Sequence, residues 1–343
     1  MSNEINNNED LTSNNKITHR NVDLAEVSSS LTIREALVEA SSFLEVQGVA
    51  DGRSDAELLM QHMLGWDRSR LLLEWRELFP VARAVEWVEL LRRRGAGEPV
   101  QYILGEQEFY GLPFEVNPAV LIPRPETELL VEAIMKRGRE MWAVEGAGQD
   151  DQPADRPADR PERPGPLVVD IGTGSGAISI SLAVFNPSWQ LVAVDLSPRA
   201  IEVASRNVAK NGVTGRVIFH QGDLLEPIIK LGLRVDILVS NPPYIPSTDI
   251  PELQREVREH EPMLSLDGGE DGLYCYRTML EQMRRLPIIP RLVGFEVGFG
   301  QAQDVAALME KCGWWKQIEI ILDYAGIERH VIGCNLDTKR QFS

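Results

Sequence analysis

From Thr32 onward the apolar residues fall at helical spacing. Ile33, Leu37, Ala40 and Leu44 form one stripe behind a capping box of Thr32 and Glu35. The spacing predicts a helix there. A second box, Ser54 with Glu57, predicts another helix with Leu59 and Met63 on one face and Gly65 as its stop. Asp67 is placed to cap a short third helix through Leu71, Leu72 and Trp75. Pro80 suits the first turn of a fourth carrying Val81, Val85, Val88 and Leu91, closed by Gly95 after Arg92, Arg93 and Arg94. Residues 31–105 therefore read as a small helical bundle with short connections. Over residues 106–124 the residues Phe109, Tyr110, Phe114, Val116 and Val120 are broken by Gly111, Pro113, Asn117 and Pro118, which predicts a β-hairpin joining two domains. Pro125 then starts a helix through Leu129, Leu130, Ala133 and Ile134.

In the remainder, residues 125–338, strand-like and helix-like pieces alternate strictly. Strands are predicted at 167–171, 191–194, 217–219, 235–239 and 292–297, with helices at 177–185, 198–211, 273–286 and 301–312. This is the signature of an α/β domain with a parallel, doubly wound sheet, whose ligands sit at the carboxyl ends of its strands. The closing runs 318–322 and 330–334 have no helix between them and predict an antiparallel hairpin. Two stretches do not fit the pattern. Residues 1–30, rich in Asn, Ser and acids, read as a disordered leader rather than a signal peptide. Residues 146–166 carry Pro153, Pro157, Pro161, Pro164 and Pro166 with a near-repeat of Pro-Ala-Asp-Arg, and read as an extended surface insertion.

Composition narrows the classes of function. With 43% apolar residues, a 343-residue chain can build cores for about two domains. Its 35 Lys and Arg against 52 Asp and Glu give a formal charge of -17, which disfavours general nucleic-acid binding while leaving room for a local basic patch. Cys275, Cys312 and Cys334 form no CxxC pair, so neither a disulfide scaffold nor a zinc ribbon is supported, and no metal is expected. No apolar stretch is long enough to cross a bilayer, and the expectation is a cytoplasmic protein with no membrane partner.

Candidate chemistry begins at Asp170-Ile171-Gly172-Thr173-Gly174-Ser175-Gly176, where the first strand turns into a helix. Glycines there permit positive φ and let a ligand approach the backbone. The next strand ends in Asp195, placed to accept the hydroxyls of a ribose, or else simply to cap the helix at Pro198. A dinucleotide cradle spaces its glycines differently, and an acid at Asp170 suits a cofactor with a sulfonium and an ammonium group, which points to S-adenosylmethionine. Asp223 follows the third strand, where it can accept from an adenine amino group with Leu224 against the ring, or be a plain turn residue. Asn241-Pro242-Pro243-Tyr244 falls at the carboxyl end of the fourth strand, beside the glycine loop. Its prolines remove two N–H donors and leave carbonyls facing outward. An amide side chain and a neighbouring carbonyl can then accept both hydrogens of a planar –NH2 group and turn its nitrogen toward a methyl donor. Positioning of this kind contributes on the order of 7–11 kcal/mol to a rate. Tyr244 is placed to stack on the planar amide.

Taken together, Glu98-Pro99-Val100-Gln101-Tyr102-Ile103-Leu104-Gly105, Phe109-Tyr110-Gly111, Leu121-Ile122-Pro123-Arg124-Pro125-Glu126-Thr127-Glu128, the glycine loop and Asn241 to Tyr244 resemble the HemK/PrmC family of peptide chain release factor glutamine methyltransferases. The likeness runs from about residue 31 to about residue 334. It implies a class I, Rossmann-like methyltransferase domain with a seven-stranded sheet, preceded by a helical domain that holds the protein substrate. It also implies methyl transfer from S-adenosylmethionine to the side-chain amide nitrogen of the glutamine in the GGQ motif of class 1 release factors. Carried over by motif, Gly172 to Gly176, Asp195 and Asn241 match cofactor residues, and Asn241, Pro242, Pro243 and Tyr244 match substrate residues, with Asn241, Pro242 and Tyr244 as the catalytic set. Leu224 departs from the aromatic residue often found after the position of Asp223. Glu126 and Thr127 read either as a pocket wall or as a helix cap. Two other classes share part of the pattern: a nucleic-acid amino methyltransferase, which would need a cationic groove, and a non-catalytic nucleotide-binding module.

Overall fold

The structure is a computed structural model that describes residues 31–146 and 165–335; the leader, the proline-rich stretch and the extreme carboxyl end lie outside the described residues. The chain divides into two compact units, with the boundary between Ile103 and Leu104.

The first unit is helical. Helix α1, Ile33–Val46, has the capping box expected of Thr32 and Glu35, with both reciprocal hydrogen bonds made. Helix α2, Gly52–Leu64, stops at a left-handed Gly65 but does not use Ser54 as its cap. It begins earlier, after Asp51, because its first turn lies against α1: a Cβ on Gly52 would stand 3.1 Å from the Leu44 Cβ. Helix α3, Arg68–Leu73, is capped by Asp67 as expected. A 3-10 turn at Val81–Arg83 precedes α4, Ala84–Gly95, and shifts its phase. Val81 and Val85 are therefore exposed, and the buried face is Trp87, Leu90, Leu91 and Arg94. Arg94 reaches Asp55 of α2 at 2.6 Å, a buried ion pair that apolar periodicity does not reveal. Helix α5, Val100–Leu104, ends at the unit boundary.

The second unit opens with strands β1, Glu106–Phe109, and β2, Leu112–Glu115, a two-residue hairpin whose turn residues Tyr110 and Gly111 have φ of 53° and 72°. Positive φ at both turn positions matches the right-handed twist of the strands. Phe109 and Phe114 meet edge to face and are buried in the core of this unit, so the hairpin is a layer of the second unit. Helix α6, Pro125–Gly146, follows.

Next come β3 (Leu167–Ile171), α7 (Ala177–Phe185), β4 (Gln190–Asp195), α8 (Pro198–Lys210), β5 (Val217–Gln221), α9 (Glu226–Leu231) and β6 (Ile237–Ser240). The chain ends with α10 (Arg255–His260), α11 (Tyr274–Met283), β7 (Leu292–Glu296), α12 (Ala302–Cys312), β8 (Gln317–Leu322) and β9 (Glu328–Cys334). The seven-stranded sheet runs β5-β4-β3-β6-β7-β9-β8, parallel except that β9 is antiparallel to both β7 and β8. One apolar layer joins the sheet to the hairpin, α6, α7 and α8; the other joins it to α9, α11 and α12. The strand order reverses between β3 and β6, and ligand crevices open at such switch points.

Candidate active site

The glycine loop leaves β3 with three left-handed residues, Gly172, Gly174 and Gly176, at φ of 71°, 55° and 83°. A side chain on Gly174 would meet nothing within 4 Å, and one on Gly172 would meet only the Asn241 carbonyl oxygen at 3.9 Å. The loop therefore faces open space on its outer side, as a cradle must. Its inner side is braced. Asp170 is fully buried, and its Oδ2 accepts from the Thr173 hydroxyl at 2.6 Å and the Ser179 amide at 3.2 Å. Burial pushes its carboxyl up to about 6 against the pull of those bonds, and Oδ1 has no hydrogen-bond partner among the described residues.

Asp195 closes the loop from β4. Its Oδ2 accepts from the Gly174 amide at 2.8 Å and its Oδ1 from the Ser197 amide at 2.9 Å. Each carboxylate oxygen keeps a further lone pair, and burial holds the group above the usual carboxylate range. Thr173 and Ser175 are both buried, and the Thr173 hydroxyl is spent on the bond to Asp170. Asp223 and Leu224 follow β5, next in the sheet to the Asp195 strand, where the Gly222 amide donates to the Asp195 carbonyl at 3.0 Å. Asp223 is exposed; Leu224 is half-buried and stands at φ 46°, a costly conformation for a branched residue that often marks a functional position.

Parallel pairing of β3 with β6 sets Ile171 beside Ser240, so Asn241 emerges next to Gly172. The Ser240 hydroxyl donates to the Ile171 carbonyl at 2.7 Å and fixes that junction. Asn241 Nδ2 donates to Thr127 Oγ1 at 3.2 Å, and Thr127 donates in turn to Glu296 Oε2 at 2.6 Å. Glu296 is 1% exposed, and burial pushes its carboxyl up to about 7. His330 is its register partner across β7 and β9, with Nε2 3.9 Å away; burial and the Arg329 charge lower its imidazole to about 4, so it is neutral.

Tyr244 is clamped by glycines. Its carbonyl accepts from Gln301 Nε2 at 2.8 Å, and a Cβ on Gly272 or Gly298 would stand 2.3 Å from that carbonyl or 3.1 Å from the Tyr244 ring. Pro242 is buried and Pro243 half-buried. Arg124 pairs with the buried Glu261 carboxylate, which fixes the approach to α6.

The structure thus brings the glycine loop, Asp195, Asn241 and the following prolines to one edge of the sheet, with Asp223 and Leu224 one strand further out. Sequence reading left out Glu296 and Asn207. Glu296 ends a wholly apolar strand, and an acid in such a run, Leu292-Val293-Gly294-Phe295-Glu296, was the available signal. Asn207 sits on α8 with no signal beyond its helical position.

A switch-point cradle of this kind, on a sheet closed by one antiparallel strand, defines a Rossmann-like methyltransferase domain. The family models agree: residues 35–105 match the PrmC N-terminal domain and residues 161–262 match the methyltransferase small domain. Release factor glutamine methyltransferases are similar over nearly their whole length. That of Bacillus anthracis is 38% identical over 301 residues, 88% of this chain and 98% of its own. That of Moorella thermoacetica is 40% identical over 299 residues, 87% of this chain and 97% of its own. That of Bacillus subtilis is 39% identical over 303 residues, 88% and 96%. The chain belongs to the release factor glutamine methyltransferase family, and it is an enzyme. Among the described residues no helix is long and apolar enough to cross a membrane.

Proposed function

We propose that this chain transfers a methyl group from S-adenosylmethionine to the side-chain amide nitrogen (N5) of the glutamine in the GGQ motif of class 1 release factors, giving N5-methylglutamine and S-adenosylhomocysteine. The observation that carries the reading is the placement of Asn241 beside Gly172, which brings an amide acceptor and a proline carbonyl to the rim of the nucleotide cradle. The residues fit the cofactor. The loop is open on its outer face, Asp195 has lone pairs to spare for a ribose, and the buried Asp170 supplies negative charge and an unpartnered oxygen beneath the loop. When bound, that cofactor supplies an electrophilic methyl group on a sulfonium. Leu224, held in its left-handed conformation after β5, is assigned the adenine ring and Asp223 the adenine amino group.

This chain's own task is to aim a poor nucleophile. Asn241 Oδ1 and the Pro242 carbonyl accept the two hydrogens of the glutamine amide, with Pro243 stiffening the turn and Tyr244 flanking the amide plane. Both acceptors draw positive charge toward the hydrogens and leave electron density on nitrogen. As the new N–C bond forms and the S–C bond breaks, the nitrogen sheds one proton, which passes to solvent. Residues 31–105 are assigned the task of holding the release factor, 106–124 that of a hairpin connection, and 125–338 the chemistry, in a cytoplasmic enzyme without direct nucleic-acid contact.

The test is Asn241→Ala. Single-turnover methyl transfer at saturating release factor should slow by about two orders of magnitude or more, while binding of the intact release factor changes much less. Wild-type transfer in that variant, or a defect confined to docking, would overturn the reading.

A further inference from the structure

Asn241 can serve as an acceptor only if its amide is held with the oxygen toward the substrate and the nitrogen away, and a side-chain amide has no intrinsic preference between the two. The chain Asn241 Nδ2 to Thr127 Oγ1 to Glu296 Oε2, at 3.2 and 2.6 Å, shows what decides it. We propose that Glu296, through the Thr127 hydroxyl and its own attraction for the Asn241 –NH2, is the positioning residue that fixes the acceptor orientation of Asn241, so that its ionisation sets whether the site can aim the glutamine nitrogen. This rests on the role given to Asn241 above.

The logic is one of donor counting. An ionised carboxylate only accepts, so Thr127 must spend its single hydroxyl proton on Glu296. The Thr127 oxygen is then left as an acceptor, and Asn241 must present its –NH2 to it. Oδ1 is thereby aimed the other way, toward the substrate amide. Protonation can reverse the chain: a neutral Glu296 donates to Thr127, the Thr127 proton turns to Asn241, and the Asn241 amide flips to accept it with Oδ1, which leaves its –NH2 facing the –NH2 of the substrate glutamine. Thr127 at 4% exposed and Glu296 at 1% are both closed off from bulk solvent.

Groups from four elements act on the charged form. From β9, Arg329 favours it, and His330 is neutral. From α6, the Thr127 bond favours it and the Glu126 charge opposes it. From the loop after β6, Asn241 favours it, and Tyr244 keeps its phenol protonated. From α11, the buried Tyr276 donates its hydroxyl to the Glu296 carbonyl at 2.7 Å, so it constrains the backbone rather than the carboxylate. Burial outweighs the groups that favour the charge and pushes the carboxyl up to about 7, so the ionised form is lost as pH falls through neutrality.

The experiment compares Glu296→Gln, Thr127→Val and Thr127→Ser by steady-state methyl transfer to a release factor across pH, with thermal denaturation to confirm folding. Glutamine can donate to Thr127, so Glu296→Gln should lower kcat by roughly ten- to a hundredfold with little change in KM for the release factor. It should also abolish the loss of rate below about pH 7. Thr127→Val should show the same kcat defect, and Thr127→Ser, which keeps the hydroxyl, should restore the rate. Should Glu296→Gln not fold, the Val and Ser pair carries the same comparison. Wild-type kcat in Glu296→Gln or Thr127→Val, or an acidic limb that persists unchanged in Glu296→Gln, would overturn the inference. If Asn241→Ala is impaired while those variants are normal, this inference alone fails. If Asn241→Ala transfers methyl normally, the role of Asn241 fails with it.

Discussion

Replacing Asn207 by alanine tests how the nucleotide loop is anchored. Asn207 is fully buried on α8 and ties three backbone groups together. Its Oδ1 accepts from the Glu115 amide at 2.6 Å, and its Nδ2 donates to the Glu115 carbonyl at 3.0 Å and the Ser175 carbonyl at 2.9 Å. The same side chain therefore holds the end of the hairpin and the underside of the glycine loop. Alanine would strand one N–H and two carbonyls. A hydrogen bond contributes about 0.5–1.5 kcal/mol net, and a buried orphan costs about 1–3 kcal/mol. Water can reach the Glu115 side, so the loss should total about 2–4 kcal/mol. In a unit of this size each kcal/mol is worth roughly 2–4 °C, giving a fall in Tm of order 10 °C. Urea denaturation followed by tryptophan fluorescence measures the first figure, and calorimetric titration with S-adenosylhomocysteine should show affinity reduced several-fold as the loop loosens. Asn211→Ala is the control: its bonds to the Pro113 and Asn207 carbonyls, both 3.0 Å, lie partly exposed and should cost under about 1 kcal/mol. A loss below 1 kcal/mol in Asn207→Ala, or one no larger than in Asn211→Ala, would refute this account of the anchor.

Two further outcomes follow from the loop. Asp195→Ala removes the carboxylate that holds the Gly174 amide and that is assigned to the ribose, so affinity for S-adenosylhomocysteine should fall tenfold or more, from about 1.5–3 kcal/mol for a charged hydrogen bond; titration at unchanged affinity would count against it. Asp170 has its folded-state carboxyl raised from 3.8 to about 6, so the folded form binds the extra proton and stability falls as pH rises across that interval. Asp170→Asn should flatten this stretch of the stability–pH curve while weakening cofactor binding, and a curve unchanged by the substitution would show that the buried acid is elsewhere.

Much of this protein is written locally. The Thr32 box, the Asp67 cap, the Gly65 stop and the helix from residue 177 to 185 follow from two to four neighbouring residues, because caps and stops satisfy backbone groups within one turn. The βα alternation likewise forces a parallel doubly wound sheet, which places the glycine loop, Asp195 and Asn241 at carboxyl ends of strands before any coordinate is known. Where local signals compete, the sequence misleads. Ser54 and Glu57 spell a capping box as well as Thr32 and Glu35 do, yet packing of Gly52 against α1 starts the helix earlier. Val81 and Val85 fit an apolar stripe until a 3-10 turn rotates the following helix.

Tertiary structure alone decided the pairs that lie far apart in the chain: Asp55 with Arg94, Arg124 with Glu261, Asn207 with Glu115 and Ser175, and Asn241 with Thr127 and Glu296. Periodicity reports which face of an element is apolar, but a buried polar group is tolerated only through a partner that the fold brings from elsewhere. The residues assigned to the chemistry could therefore be named from their motif, whereas the buried polar residues bonded to them became visible only when separate strands and helices met in space.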